Sequence, residues 1–167
     1  KKFKVPYLKI KARLPFELRW GDNLQIKLPG FNQPVSARVI YPLANQLTKI
    51  KREEKLVDRL DQYAADEKAM LLALTEEAGL QGLREKELED FCRLSSSELS
   101  QLALELEKEG QLFILEFSPL FLLSRKSFDF LLTRMLSFIE DYHQRPPAET
   151  GPEIKKVQER FRLPRTV

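Results

Sequence analysis

The sequence predicts an α+β chain: part of an antiparallel β-sheet or barrel, then three short helices closed by a two-stranded hairpin, then the start of a second such unit. Three observations predict it. Residues 1–43 alternate apolar and charged side chains, residues 67–108 repeat apolar positions at helical spacing, and after Gly110 two short apolar runs flank Ser118-Pro119. Three helices followed by a hairpin in that order describe a winged helix.

The first segment carries three strand patterns. KVPYLKIKARLPF sets Val5, Tyr7 or Leu8, Ile10, Ala12 and Leu14 against Lys4, Lys9, Lys11 and Arg13, as in a sheet with one wet face. Trp20-Gly21-Asp22-Asn23 reads as a turn, LQIKL as a second strand, PGFNQP as a break, and Val35 to Tyr41 as a third strand. Three strands close a poor core by themselves, so the half barrel calls for upstream residues or for strand exchange with a second copy.

Pro42 ends the third strand, and the mixed-charge run that follows reads as helical. It is expected to connect to, or to run into, the first helix of the winged unit. Within that unit Met70 to Leu74, Leu88 with Phe91, and Leu99, Leu102, Ala103 and Leu106 mark three apolar faces. Ser95 followed by Glu98 has the spacing of a capping box, and Gly110 after Lys108-Glu109 that of a helix stop.

Beyond the hairpin, Phe128, Leu131, Leu132, Met135, Leu136, Ile139 and Tyr142 form the wide apolar face of a long helix. Arg145-Pro146-Pro147 stops it, and Thr150 is the expected N-cap of a last helix carrying Ile154, Val157 and Phe161. The organisation is thus a partial barrel over 1–43, a linker or helix over 44–60, a winged helix over 61–124, and a long helix opening a second winged helix over 125–167.

Charge divides along the same lines. Residues 1–60 hold 14 basic and 5 acidic side chains, residues 61–124 hold 5 and 14, and residues 125–167 hold 9 and 6. A surface that grips phosphate needs Lys and Arg, so the winged helix carries the wrong sign for a nucleic-acid backbone. Its reading helix, from Ser96 to Lys108, leaves Ser97, Glu98, Gln101, Glu105 and Lys108 outside the core, a weak set for a DNA groove. Lys9, Lys11 and Arg13 share one strand face, with Arg19 and Lys27 near in sequence, and are the candidate contacts to an RNA backbone. Lys155, Lys156 and Arg160 on the last helix are further candidates.

Catalytic and metal signatures are missing from the sequence. It has no phosphate loop, no G-x-G-x-x-G, and only one His and one Cys, too few for a metal site of their own. Cys92 beside Phe91 reads as a small buried thiol, and His143 after Tyr142 as a helix-end ring. Glu85, Glu87, Glu89 and Asp90, interspersed with Arg84, Lys86 and Arg93, read as a solvated helix face. No apolar run approaches the roughly 18–20 residues of a membrane span. The chain is therefore expected to be non-enzymatic and cytoplasmic, and a start on Lys is expected of a fragment.

The order of these features resembles the middle and C-terminal part of the selenocysteine-specific translation elongation factors (SelB). LPFELRWGDNLQIKL resembles the end of their third β-barrel domain. VSARVIYP resembles its final strand, although the family has small glycines where this chain has Ser36, Ala37 and Arg38. Gly79, Leu80, Gly82, Leu83, Glu87 and Leu88 resemble the opening of the first winged helix. Tyr142, His143, Pro147 and Gly151 match the spacing of the family's (F/Y)H-x-x-x-P-x-x-x-G turn.

That resemblance implies a parent that delivers selenocysteinyl-tRNA to the ribosome at UGA codons, guided by an mRNA hairpin. GTP and magnesium would belong to a GTPase domain upstream of Lys1, and the hairpin-binding winged helix would lie downstream of Val167. Two other readings stay open: a winged-helix DNA-binding regulator, and a protein-interaction winged helix.

Overall fold

The computed structural model describes residues 7–10, 17–27, 29–30, 32–42, 59–144 and 153–161. The fold is α+β. Among the described residues its elements are β1 (Asn23–Ile26), β2 (Val35–Arg38), α1 (Leu60–Ala65), α2 (Glu67–Ala78), a 3-10 turn (Gly79–Gln81), β3 (Leu83–Arg84), α3 (Glu85–Phe91), α4 (Ser96–Lys108), β4 (Leu112–Phe117), β5 (Leu120–Ser124), α5 (Arg125–His143) and α6 (Ile154–Phe161).

Local chemistry sets the helix boundaries. Asp66 interrupts α1 and α2 with an extended backbone, and its carboxylate accepts from Ala69 N–H at 2.7 Å, an N-cap that starts α2 afresh. The connecting helix therefore does not run into the first helix of the winged unit; residues 43–58 of that expected connector lie outside the described residues. Ser95 and Glu98 form the expected capping box at α4. At its other end Gln111 N–H reaches Leu106 O and Gly110 N–H reaches Glu107 O, both at 2.9 Å, the paired bonds of a Schellman stop with Gly110 at φ +70°.

The core lies where α2, α3 and α4 meet the small sheet. Met70, Leu71 and Ala73, then Leu88 and Phe91, then Leu99, Ala103 and Leu106 close onto Leu83, Leu112, Leu120 and Leu122. Each large apolar side chain buried there contributes about 1.5–3 kcal/mol. The sheet has the order β3-β5-β4, all antiparallel, with Leu83 opposite Leu122, Ile114 opposite Leu122 and Phe117 opposite Leu120. A register shift between Ile114 and Glu116 bends β4, and the Glu107 carboxylate accepts from Ile114 N–H at 2.8 Å. The Ser118–Pro119 peptide at the hairpin tip is cis.

β5 is buried along its whole length. Leu120 and Leu122 face the main core; Phe121 and Leu123 alternate to the opposite face and are buried as well. α5 lies against β5, β4 and the 3-10 turn. The Phe113 and Phe128 rings meet at 4.4 Å, and Arg84 sits 4.4 Å over the Phe121 ring. The long helix thus backs the wing sheet, and the wing has core on both faces.

The apolar face of α5 is narrower than its sequence implies. Leu131 is buried and Phe128, Met135, Ile139 and Tyr142 are half-buried, whereas Leu132 and Leu136 are exposed. Phe138 joins this face instead, with its ring 5.9 Å from Phe161 of α6. Thr150, the expected N-cap of α6, lies outside the described residues.

The strand expectations divide. β1 and β2 pair with Asn23 opposite Arg38, Leu24 opposite Ala37, Gln25 opposite Ser36 and Ile26 opposite Val35. β2 is shorter than the Val35 to Tyr41 expected of it. Residues 7–10 of the expected first strand form no ladder, and residues 1–6 and 11–16 lie outside the described residues.

Candidate nucleic-acid interface

The hairpin residues are placed by a turn that is also a junction. Gly21 N–H donates to Val39 O and Val39 N–H to Asp22 O, both at 2.8 Å, so Gly21 and Asp22 together oppose one residue of the other strand. That two-against-one arrangement turns the chain sharply, with Gly21 at φ +88°. It drives Trp20 out of the hairpin and into the winged helix. The indole N–H donates to Tyr63 O at 2.7 Å, and the main-chain N–H donates to Phe91 O at 2.7 Å. Trp20 is only 5% exposed.

Charge closes the junction from outside. The Asp22 carboxylate accepts from Arg93 at 3.0 and 3.2 Å and from Arg19 N–H at 2.9 Å. Those donors, Arg93 foremost and the Arg19 amide next, hold its pKa below the ordinary carboxylate value. Arg38 lies 4.5 Å over the Trp20 ring. After β2, Tyr41 donates to Glu77 at 2.9 Å, and Tyr63 donates to the other Glu77 oxygen at 2.6 Å. Burial, with that bond second, pushes the Tyr63 hydroxyl far above its usual value.

The candidate cations fall around this junction unevenly. Lys27 is exposed just beyond β1, on the side that Gln25 shares by alternation. Arg19 is half-buried beside Asp22, and Lys9 is exposed. Lys11 and Arg13 lie outside the described residues, so the row Lys9, Lys11, Arg13 is described only at its first member. Lys155 and Arg160 are exposed on α6, five residues apart and hence on different faces of the helix, and Arg160 packs 4.8 Å over Phe138. Lys156 belongs to the same helix.

On α4, Ser97, Glu98, Gln101, Glu105 and Lys108 are all exposed, together with Leu104. Lys68 of α2, the nearby cation, is engaged by Glu109 and Glu105, Glu109 being the stronger partner in raising its pKa. The acidic run at α3 is more than a solvated face. Glu85 is half-buried and accepts from Leu120 N–H at 2.8 Å, tying α3 to the wing, while Glu87 accepts from Arg84 N–H at 2.9 Å to cap its own helix. Bonds from Ser96 first and Leu120 second hold the Glu85 pKa low.

Cys92 is 1% exposed, burial raises its pKa, and its thiol points at Leu88 O at 3.4 Å. His143 is exposed in the last turn of α5. Among the described residues no group of three His, Cys, Asp or Glu is arranged to hold a metal. Among them also, no helix is long and apolar enough to cross a membrane.

The sequence places Trp20 in a turn, and the structure adds that its side chain is buried. The signal that points to burial is size: a lone Trp between Arg19 and Asp22 is a large apolar side chain in a polar turn, and it has to be buried somewhere. Comparison with protein-family models, curated proteins and solved structures finds no match.

Proposed function

We propose that this chain is the non-catalytic middle portion of a selenocysteine-specific elongation factor, in which a basic, tRNA-facing half barrel is carried on a winged-helix spacer. GTP and magnesium belong to the domain upstream, and the mRNA hairpin to one downstream. The observation that carries this reading is the sign of the reading helix. α4 presents Glu98 and Glu105 to solvent, and the neighbouring Lys68 is engaged by two carboxylates, so this face repels phosphate and serves as structure. Cationic contact is left to the N-terminal segment, with Lys9, Lys11, Arg13, Arg19 and Lys27, and to Lys155, Lys156 and Arg160 on the last helix.

The test is fluorescence binding of the whole chain to a tRNA, an RNA hairpin and a DNA duplex at about 50 and 200 mM salt. Binding to tRNA is expected to weaken as salt rises. Replacing Lys9, Lys11, Arg13 and Lys27 with Gln should lower the salt slope by roughly one for each phosphate that is no longer neutralised. Duplex DNA bound as tightly as tRNA, through a site those substitutions leave intact, would instead make the winged helix a DNA reader.

A further inference from the structure

We propose that Trp20 is a positioning residue that locks the β1–β2 hairpin to the winged helix, so that the two turn as one rigid arm. The hairpin is tied to separate elements of the winged helix, and Trp20 supplies the ties at their centre. The Trp20 indole N–H reaches Tyr63 O on α1 at 2.7 Å, and its main-chain N–H reaches Phe91 O at the end of α3 at 2.7 Å. Asp22 takes the Arg93 fork in the loop after α3, and Tyr41 donates to Glu77 on α2 at 2.9 Å. These ties enter from both the incoming and the outgoing chain of the hairpin, so neither can serve as a hinge.

The seal is apolar as well as polar. Trp20 belongs to the same buried cluster as Leu88, Phe91 and Cys92, and Tyr41 packs edge-on against Tyr63 and Phe91 at 5.1 and 5.5 Å. Arg38 covers the Trp20 ring at 4.5 Å. Relative motion is the default for neighbouring domains without such a junction. Here a rotation imposed on the hairpin is delivered to α4 undiminished, whatever the chain carries, and this holds independently of the tRNA reading.

The test is a distance distribution between spin labels at K27C, on the hairpin, and Q101C, on α4, with Cys92 left in place because it is 1% exposed. One narrow distance is expected. Trp20→Ala should widen it about twofold or more while the far-ultraviolet helix signal is kept. A broad distribution in the parent, or a narrow one in a folded Trp20→Ala, overturns the proposal. If Trp20→Ala loses its helix signal, Trp20→Phe, which keeps a ring in the core but removes the indole bond to Tyr63 O, decides it: widening supports the lock and an unchanged width refutes it.

Discussion

Gly82→Ala tests the packing of the wing at one atom. Gly82 has φ +67° and ψ 170°, a backbone region reserved almost entirely for glycine. A Cβ there would stand 2.4 Å from Phe121 Cε2, 2.8 Å from its Cζ and 2.9 Å from Leu122 O. Phe121 is 1% exposed, with the Arg84 guanidinium across its ring, so it has little room to yield. The backbone conformation costs about 1–3 kcal/mol. Overpacking adds about 1–3 kcal/mol. Together they remove a large share of the about 5–15 kcal/mol that holds a typical domain folded.

Gly79→Ala is the control, because Gly79 also has a positive φ but no atom outside its own stretch of chain lies within 4 Å of its Cβ position. It should lose only the backbone part, about 1–3 kcal/mol. Urea unfolding followed by circular dichroism measures both, and their difference is the steric part. Phe121→Ala in the Gly82→Ala background relieves the part of the clash made by the ring, leaving the contact to Leu122 O, so the double variant should be more stable than the sum of the singles implies, by about 1–3 kcal/mol. Equal losses for Gly79→Ala and Gly82→Ala, or strict additivity with Phe121→Ala, would refute the two-sided wing.

Caps and charge give two more expectations. Ser95→Ala removes the acceptor for Glu98 N–H at the start of α4 and should cost about 1 kcal/mol in the same urea assay; an unchanged midpoint counts against the cap. Asp22, Glu85 and Glu98 all have folded-state pKa values below their ordinary ones, held there chiefly by Arg93, Ser96 and Ser95 respectively. Because they are lowered, their contribution is fully present above about pH 5 and is lost as pH falls through the folded values. Melting temperature measured from pH 7 downward should therefore drop on the acid side, and Asp22→Asn should flatten part of that drop. A melting temperature insensitive to acid contradicts the assignment.

What the sequence determined by itself was the repeats and caps of the winged unit, which act within a few residues, and not the alternation of the first strand, which forms no ladder at residues 7–10. Apolar spacing located α2, α3 and α4; Ser95 with Glu98 and Gly110 bounded the last of these; Ser118-Pro119 marked the hairpin. Gly79 and Gly82 both take positive φ, a backbone region that glycine enters without a side-chain penalty. Tertiary structure decided what depends on partners far along the chain. Trp20 meets Tyr63 across 43 residues and Asp22 meets Arg93 across 71, and no local periodicity encodes such pairs. The same holds for β5, where Phe121 and Leu123 look like one more strand until α5 is seen to lie behind them. A strand pattern records that side chains alternate; only the neighbouring element decides whether the second face meets water or core.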